Sequence, residues 1–293
     1  MNKKIFPSIV LLGMSLSACQ LPQPQPTVIP LVPEQPTVAI VMGEGYARSF
    51  AHIGVMRVLE KEKIHIDMIV GSGLGAVMAA FYARQKSSFD MEWHALQMEK
   101  KNYLQKEKSK KSESTLSLHP LSEFLKTKFQ SQRIGSFKVP LIVTTLDFRS
   151  GKILSYKDGA TLPILLASCS TPGLFPSVTY QGKALVSSEI ALGIPIEVAI
   201  QNGADFIIAI DVNPEDLTKT SELQSPEFQS AKISALHLSR EQLDLAHVVI
   251  EPEVSHIGDL EFEKRREALL AGIKATEAKI DEIKELLQDW QSP

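Results

Sequence analysis

Gly71-Ser72-Gly73-Leu74-Gly75 is the stretch whose residue types and spacing come closest to acyl-transfer chemistry. A serine hydroxyl attacks an ester carbonyl when a base takes its proton and fixed donors stabilise the oxyanion. The device that presents such a serine is a strand, a sharp Gly-x-Ser-x-Gly turn and a helix. Here an apolar run from Ile66 to Val70 leads into the turn. A helical run through Ala76, Val77, Ala79, Ala80 and Phe81 leaves it. The flanking glycines stand at the right spacing, but the central position is Gly73, which carries no nucleophile. Ser72, one residue earlier, is the alternative hydroxyl. Neighbours leaving a strand point to opposite sides, so Ser72 is expected to face away from the side that position 73 faces.

The elements that must position this turn alternate between strand and helix. Thr37–Met42 reads as a buried strand, followed by Gly43-Glu44-Gly45-Tyr46-Ala47-Arg48 and a helix from about Ser49 to Lys61. Such alternation predicts parallel strands with helical crossovers. Further on, Met91–Tyr103 and Leu121–Phe129 read as helices and Lys138–Thr145 as a strand. Phe148–Tyr156 reads as a hairpin around Ser150-Gly151. A short helix at Leu162–Ala167 and a strand near Lys183–Val186 follow. Ile194–Asn202 is helical and closes on Gly203. Asp205–Val212 is a buried strand, and Asn213–Gln229 a polar surface loop. Helix Ser230–Leu243, strand His247–Glu251 and a helix from about Glu261 to Trp290 complete the chain.

With 293 residues, 44% of them hydrophobic, the chain is long enough for one α/β domain with a substantial core. Its formal charge of −3 gives no electrostatic reason to expect nucleic acid as a partner. The seven histidines, His52, His65, His94, His119, His237, His247 and His256, form no close metal-ligand spacing. No metal site and no cofactor are expected. Gly43-x-Gly45 after a strand invites a dinucleotide reading, but the third glycine of that fingerprint would fall at Arg48. His52 reads as a packing or capping histidine. Asp147, Asp158 and Asp211 read as turn or strand-end residues.

The N-terminus reads as a secretion and anchoring signal. Lys3 and Lys4 precede the apolar run Ile5–Leu16, which is too short to span a bilayer permanently. It closes on Leu16-Ser17-Ala18-Cys19, similar to a bacterial lipobox, which makes Cys19 the expected lipidation site and mature N-terminus. The expected domain organisation is therefore 1–18 signal peptide, 19–36 lipidated tether and 37–293 folded domain. Prolines 22, 24, 26, 30, 33 and 36 favour an extended tether. Gln20 after the cysteine implies sorting to the outer membrane, facing the periplasm. Cys169 is then left without a disulfide partner and reads as a buried thiol. Lys100, Lys101, Lys106, Lys108, Lys110 and Lys111 read as a solvated face or, alternatively, as attraction to anionic head groups.

The order of these motifs resembles the bacterial patatin-like phospholipase family. Tyr46–Val55 is similar to the family's glycine-rich loop and first helix, and Val70–Ala83 to its elbow. Ala167-Ser168-Cys169-Ser170-Thr171-Pro172-Gly173-Leu174-Phe175-Pro176 is similar to its Ala-Ser-x-x-x-Pro-x-x-Phe-Pro segment. Ile194-Pro195, Asn202–Asp205, Ala209–Val212, Val248–Pro252 and Ile257-Gly258 also fit. The resemblance implies an α/β, three-layer domain with a mostly parallel central sheet and helices on both faces.

The resemblance also implies a Ser–Asp dyad and an oxyanion loop, and the chain departs from all three parts. The serine position is Gly73. The aspartate position is Ser187, within Val186-Ser187-Ser188-Glu189. The loop's three glycines fall at Glu44, Gly45 and Tyr46, leaving Gly43, Gly45 and Arg48 as what remains of an oxyanion-type loop. Arg48 is expected either to bind an anionic head group or to pack at the helix start. The expectation is a catalytically silent, lipid-anchored envelope protein that binds an acyl ligand in its cleft or an envelope protein partner. One alternative is an active hydrolase with Ser72 as displaced nucleophile and Glu189 as base, provided Ser187–Glu189 is extended. The other is a structural envelope subunit that dimerises through Leu269, Leu270, Ile273, Ile280, Ile283 and Leu286.

Overall fold

Alternate residues of the first strand feed two separate cores. In strand β1 (Val38–Met42), Val38, Ile40 and Met42 join one apolar cluster while Ala39 and Val41 join another. A strand buried on both faces needs helices on both faces. That is the architecture of a computed structural model of the chain, which describes residues 35–103, 116–213 and 225–290. Residues 34–293 make one compact unit.

A turn of 3₁₀ helix (Tyr46–Phe50) and helix α1 (Ala51–Lys61) follow β1. Strand β2 (Met68–Gly71) runs straight into helix α2 (Gly73–Gln85), the predicted elbow. The predicted helix at 91–103 is instead two pieces, α3 (Ser88–Ala95) and α4 (Lys100–Tyr103). Ser87 starts α3 early by accepting the Asp90 N–H at 3.2 Å. Helix α5 (His119–Phe129) is followed by β3 (Leu141–Asp147) and β4 (Ile153–Tyr156). The hairpin's first arm is thus β3 itself rather than residues from Phe148 on. Asp147 makes the turn by accepting the Arg149 N–H at 3.1 Å.

Helix α6 (Thr161–Ser168) leads to a short hairpin, β5 (Val178–Tyr180) and β6 (Lys183–Val186). Helices α7 (Glu189–Leu192) and α8 (Ile196–Gln201) precede β7 (Phe206–Ile210). Helix α9 (Pro226–Leu243) starts four residues before its predicted start because Ser225 caps the Phe228 N–H. Strand β8 (Val248–Ile250) and helix α10 (Arg265–Trp290) end the described chain.

The sheet order is β5-β6-β3-β2-β1-β7-β8, with β4 also pairing β3. The run β3-β2-β1-β7-β8 is parallel, and β4, β5 and β6 are antiparallel additions. The domain is therefore α/β with a mostly parallel sheet. Helices α1, α2 and α10 cover one face; α8 and the loop before it cover the other.

The apolar positions of α10 divide. Leu269 and Ile283 are buried, and Ile273 and Ile280 pack against the core, while Leu270 is 63% exposed and Leu286 37%. The helix crosses α1 at two glycines. A Cβ on Gly54 would lie 2.6 Å from the Ile273 nitrogen, and one on Gly272 2.9 Å from the Ala51 carbonyl carbon. Most of the stripe thus serves this domain's own core. The signal peptide, Cys19, the tether up to residue 34, Lys106–Lys111 and most of the polar segment 213–229 lie outside the described residues.

Candidate active site and its occupant

Two loops meet at the strand ends of β1 and β2. Ser72 N–H bonds the Met42 carbonyl at 3.1 Å, bringing the elbow against the loop that follows β1. Gly73 sits at φ +57, a conformation glycine adopts without the penalty a side chain would incur. Its N–H donates to Ser168 Oγ at 2.9 Å, and that hydroxyl donates to the Thr144 carbonyl at 2.9 Å. Ser168 therefore pins the elbow from α6, a role the sequence did not reveal.

The carboxylate of Glu44 occupies the position where an oxyanion would be stabilised. Its Oε1 accepts the N–H groups of Gly45 at 3.0 Å and Tyr46 at 2.7 Å. Its Oε2 accepts the N–H of Leu74, the residue after the vacant nucleophile position, at 2.8 Å. Donors from the glycine loop and from the residue after the elbow tip are the usual pair of an oxyanion hole. Here both are spent on a side chain of the same protein. The sequence suggested only an unfavourable charge nearby; the structure shows that this charge is the occupant.

The loop is strained to reach this state. Tyr46 has φ +51, which for a tyrosine costs on the order of 1–3 kcal/mol. Its ring stacks edge-on against Tyr103 and Phe228 at 6.4 and 5.7 Å, and its hydroxyl meets Thr171 Oγ1 at 3.2 Å. Tyr103 in turn contacts Phe175 and Phe262. This aromatic cluster and the Glu44 bonds hold the strained residue. They also leave Glu44, Tyr46, Gly73 and Ser187 buried.

The aspartate position does not supply a base. Ser187 donates its N–H to the Ser170 carbonyl at 2.9 Å, and its hydroxyl accepts the Glu189 N–H at 3.3 Å. Residues 187–189 are not extended: Ser188 is helical at φ −75 and ψ −14, and Glu189 opens α7. The condition under which Glu189 could take over the base role is therefore not met. Ser188 bonds Thr144 Oγ1 at 2.7 Å, and Thr144 reaches the Gly71 carbonyl at 3.3 Å. Ser72 Oγ is fully buried and meets no hydrogen-bond partner. Without an acceptor in reach its proton has nowhere to go.

The two buried acids of the site feel one another. Burial pushes Glu44 up to about 7, opposed by the N–H groups of Tyr46, Leu74 and Gly45. Burial, then the charge of Glu44, pushes Glu189 up to about 8. Both oxygens of Glu44 accept N–H bonds, as an ionised carboxylate would. The Glu189 carboxyl accepts none from the described residues, and it is the one pushed up further. Burial holds His52 down at about 4; its Nε2–H donates to the Gly43 carbonyl at 3.0 Å, which makes it a packing residue.

Arg48 is likewise committed to structure. It is 1% exposed, donates to the carbonyls of Val212 and Ile257 at 3.0 Å each, and pairs with Asp259 at 2.9 Å. The Arg48–Asp259 contact is close but not aligned as a hydrogen bond. Lys232 reaches the other Asp259 oxygen at 2.7 Å. Cys169 is buried. Asp158 pairs with Arg133, and Asp211 accepts the Asn213 N–H.

A mostly parallel α/β sheet with an elbow facing a loop of inward N–H groups defines the architecture of a serine acyl-hydrolase. Residues 40–200, from β1 through α8, match the family model for patatin-like phospholipase. The chain belongs to the patatin-like phospholipase family. It is 27% identical over 197 residues to mouse (Mus musculus) patatin-like phospholipase domain-containing protein 6, covering 63% of this chain and 14% of that protein. It is 26% identical over 190 residues to lysophospholipase NTE1 of Debaryomyces hansenii, covering 61% and 12%. The chain thus matches about one-seventh or less of the length of these relatives. VipD of Legionella pneumophila superposes with a TM-score of 0.49 at 12% identity, over 85% of this chain and 67% of that one.

Proposed function

We propose that this protein is a catalytically silent member of the family that acts by binding, held to the bacterial envelope through Cys19. The observation that carries the reading is the Glu44 carboxylate on the N–H groups of Gly45, Tyr46 and Leu74. A tetrahedral oxyanion needs those donors at the moment it forms, and here they already hold the Glu44 carboxyl. Gly73 adds no nucleophile and Ser187 no base. Each absence alone would cost orders of magnitude in rate.

Glu44, Tyr46, Gly73 and Ser187 are all buried, which favours recognition at the surface over an acyl chain held in the cleft. Turnover of short-chain esters and phospholipids by the domain of residues 34–293 tests the reading. It predicts rates indistinguishable from buffer. Hydrolysis that Ser72→Ala abolishes would establish the displaced-nucleophile alternative instead.

A further inference from the structure

Helix α3 exposes two large aromatic side chains, Phe89 at 75% and Trp93 at 62%. They stand four residues apart, so they share one helix face. Nothing in the described domain covers them. Isolated exposed apolar residues are ordinary, but a paired Phe and Trp on one face are not.

The patch sits at the end of the sheet where the strands start. Ala83, near the end of α2, accepts the Val139 N–H at 3.0 Å, just before β3 begins. Asp67 N–H bonds the Val38 carbonyl at 2.9 Å, where β1 and β2 begin. The Ser88 N–H is held by Glu60, close to the end of α1. The chain therefore enters β1 at the same end of the domain that presents Phe89. The Glu44 site lies at the opposite end.

Exposed lysines rim this end. Lys63, Lys86 and Lys138 are exposed around the α2–α3 corner and the start of β3, while the half-buried Lys128 bonds Gln97 at 2.7 Å. Of the acids nearby, Asp90 pairs with Arg84 at 2.7 Å and Glu92 with Arg57 at 3.3 Å, while Asp67 and Glu60 accept the Val38 and Ser88 N–H groups. Tryptophan and phenylalanine with a rim of lysines suit the head-group zone of an anionic bilayer, where rings sit among the glycerol groups and ammonium groups meet phosphates.

We infer that the strand-start end, through Phe89 and Trp93, docks on an anionic lipid surface. A second membrane contact would orient the domain on the bilayer to which Cys19 is proposed to anchor it. This inference goes beyond the silent-site reading and does not depend on it. The orientation rests on the proposed anchor at Cys19, whereas the docking face does not.

The test is co-sedimentation of the 34–293 domain with phosphatidylglycerol-containing vesicles and with phosphatidylcholine vesicles. The expected result is binding to the anionic vesicles that weakens with salt and falls about tenfold or more in Phe89→Ser/Trp93→Ser. The chain has two tryptophans, so Trp290→Phe leaves Trp93 as the sole reporter. Its emission should shift to the blue and be quenched by lipids brominated on their acyl chains. No vesicle binding, binding untouched by the double substitution, or a Trp93 blind to brominated lipid would each overturn the inference. The absence of the N-terminal segment keeps a failure here separate from a failure of the lipid anchor.

Discussion

Glu44 and a side chain at position 73 exclude each other. A Cβ built on Gly73 would lie 2.8 Å from the Glu44 Cβ and nearer still to its carboxylate. Glycine at position 73 and the Glu44 carboxylate at the Leu74 N–H therefore depend on one another. Glycine at 73 makes room for the carboxylate, and the carboxylate bonds the N–H that follows.

Gly73→Ser alone should accordingly destabilise the domain and restore no activity. The serine would sit at positive φ, at on the order of 1–3 kcal/mol, and would also displace Glu44. In a Glu44→Gly background the steric part disappears. A double-mutant cycle by denaturant unfolding should give a coupling of about 1 kcal/mol or more, with the pair less damaging than the sum. Simple additivity would mean that the two positions do not compete.

Stability should fall as pH rises toward 8. Glu44 and Glu189 have folded pKa values above the ordinary carboxylate value of 4.5, at about 7 and about 8. The folded protein keeps a proton that the unfolded chain releases, so their contribution is complete below about 4.5 and lost as pH climbs through 7 to 8. His52 acts in the other direction. Its folded value near 4 lies below 6.5, so its contribution is full above 6.5 and lost as pH falls toward 4. Between 6.5 and 8 only the acids slope. Urea midpoints measured across that window should decline in the wild type and decline less steeply in Glu189→Gln. An unchanged slope in the variant would refute the upward shift of Glu189.

Asp259→Asn should destabilise the domain by about 3 kcal/mol, because it leaves the buried Arg48 guanidinium without its counter-charge. Chemical denaturation reads this directly. A change below about 0.5 kcal/mol, the level of an exposed pair, would show that the Arg48–Asp259 contact is not buried in solution.

Cys19→Ala should release the full-length protein from the membrane fraction and abolish labelling by a palmitate analogue. Retained labelling would place the acyl group elsewhere.

Much of the fold was legible because the signals are local. The strand–glycine turn–helix at 66–83 and the strand at 205–212 are apolar runs bounded by turn residues, and both fold as read. The break in the 91–103 helix was not legible, because Leu96–Glu99 carry no proline or glycine. Strand β5 is three residues long, too short for a period to show. In the candidate site the identities of Gly73 and Ser187 could be read from the sequence. What fills the site could not: Glu44 is adjacent to the loop in sequence, but its bond to Leu74 spans thirty positions and depends on how the elbow docks. The same limit hid Ser168, whose bonds to Gly73 and Thr144 are set by the placement of α6.

The most direct test is intact-mass analysis of the 34–293 domain after exposure to a fluorophosphonate, which forms an adduct only with an activated serine. The occupied oxyanion hole predicts an unmodified mass for the wild-type domain. A stoichiometric adduct that disappears in Ser72→Ala would contradict it, because the buried and unpartnered Ser72 hydroxyl would then be a working nucleophile.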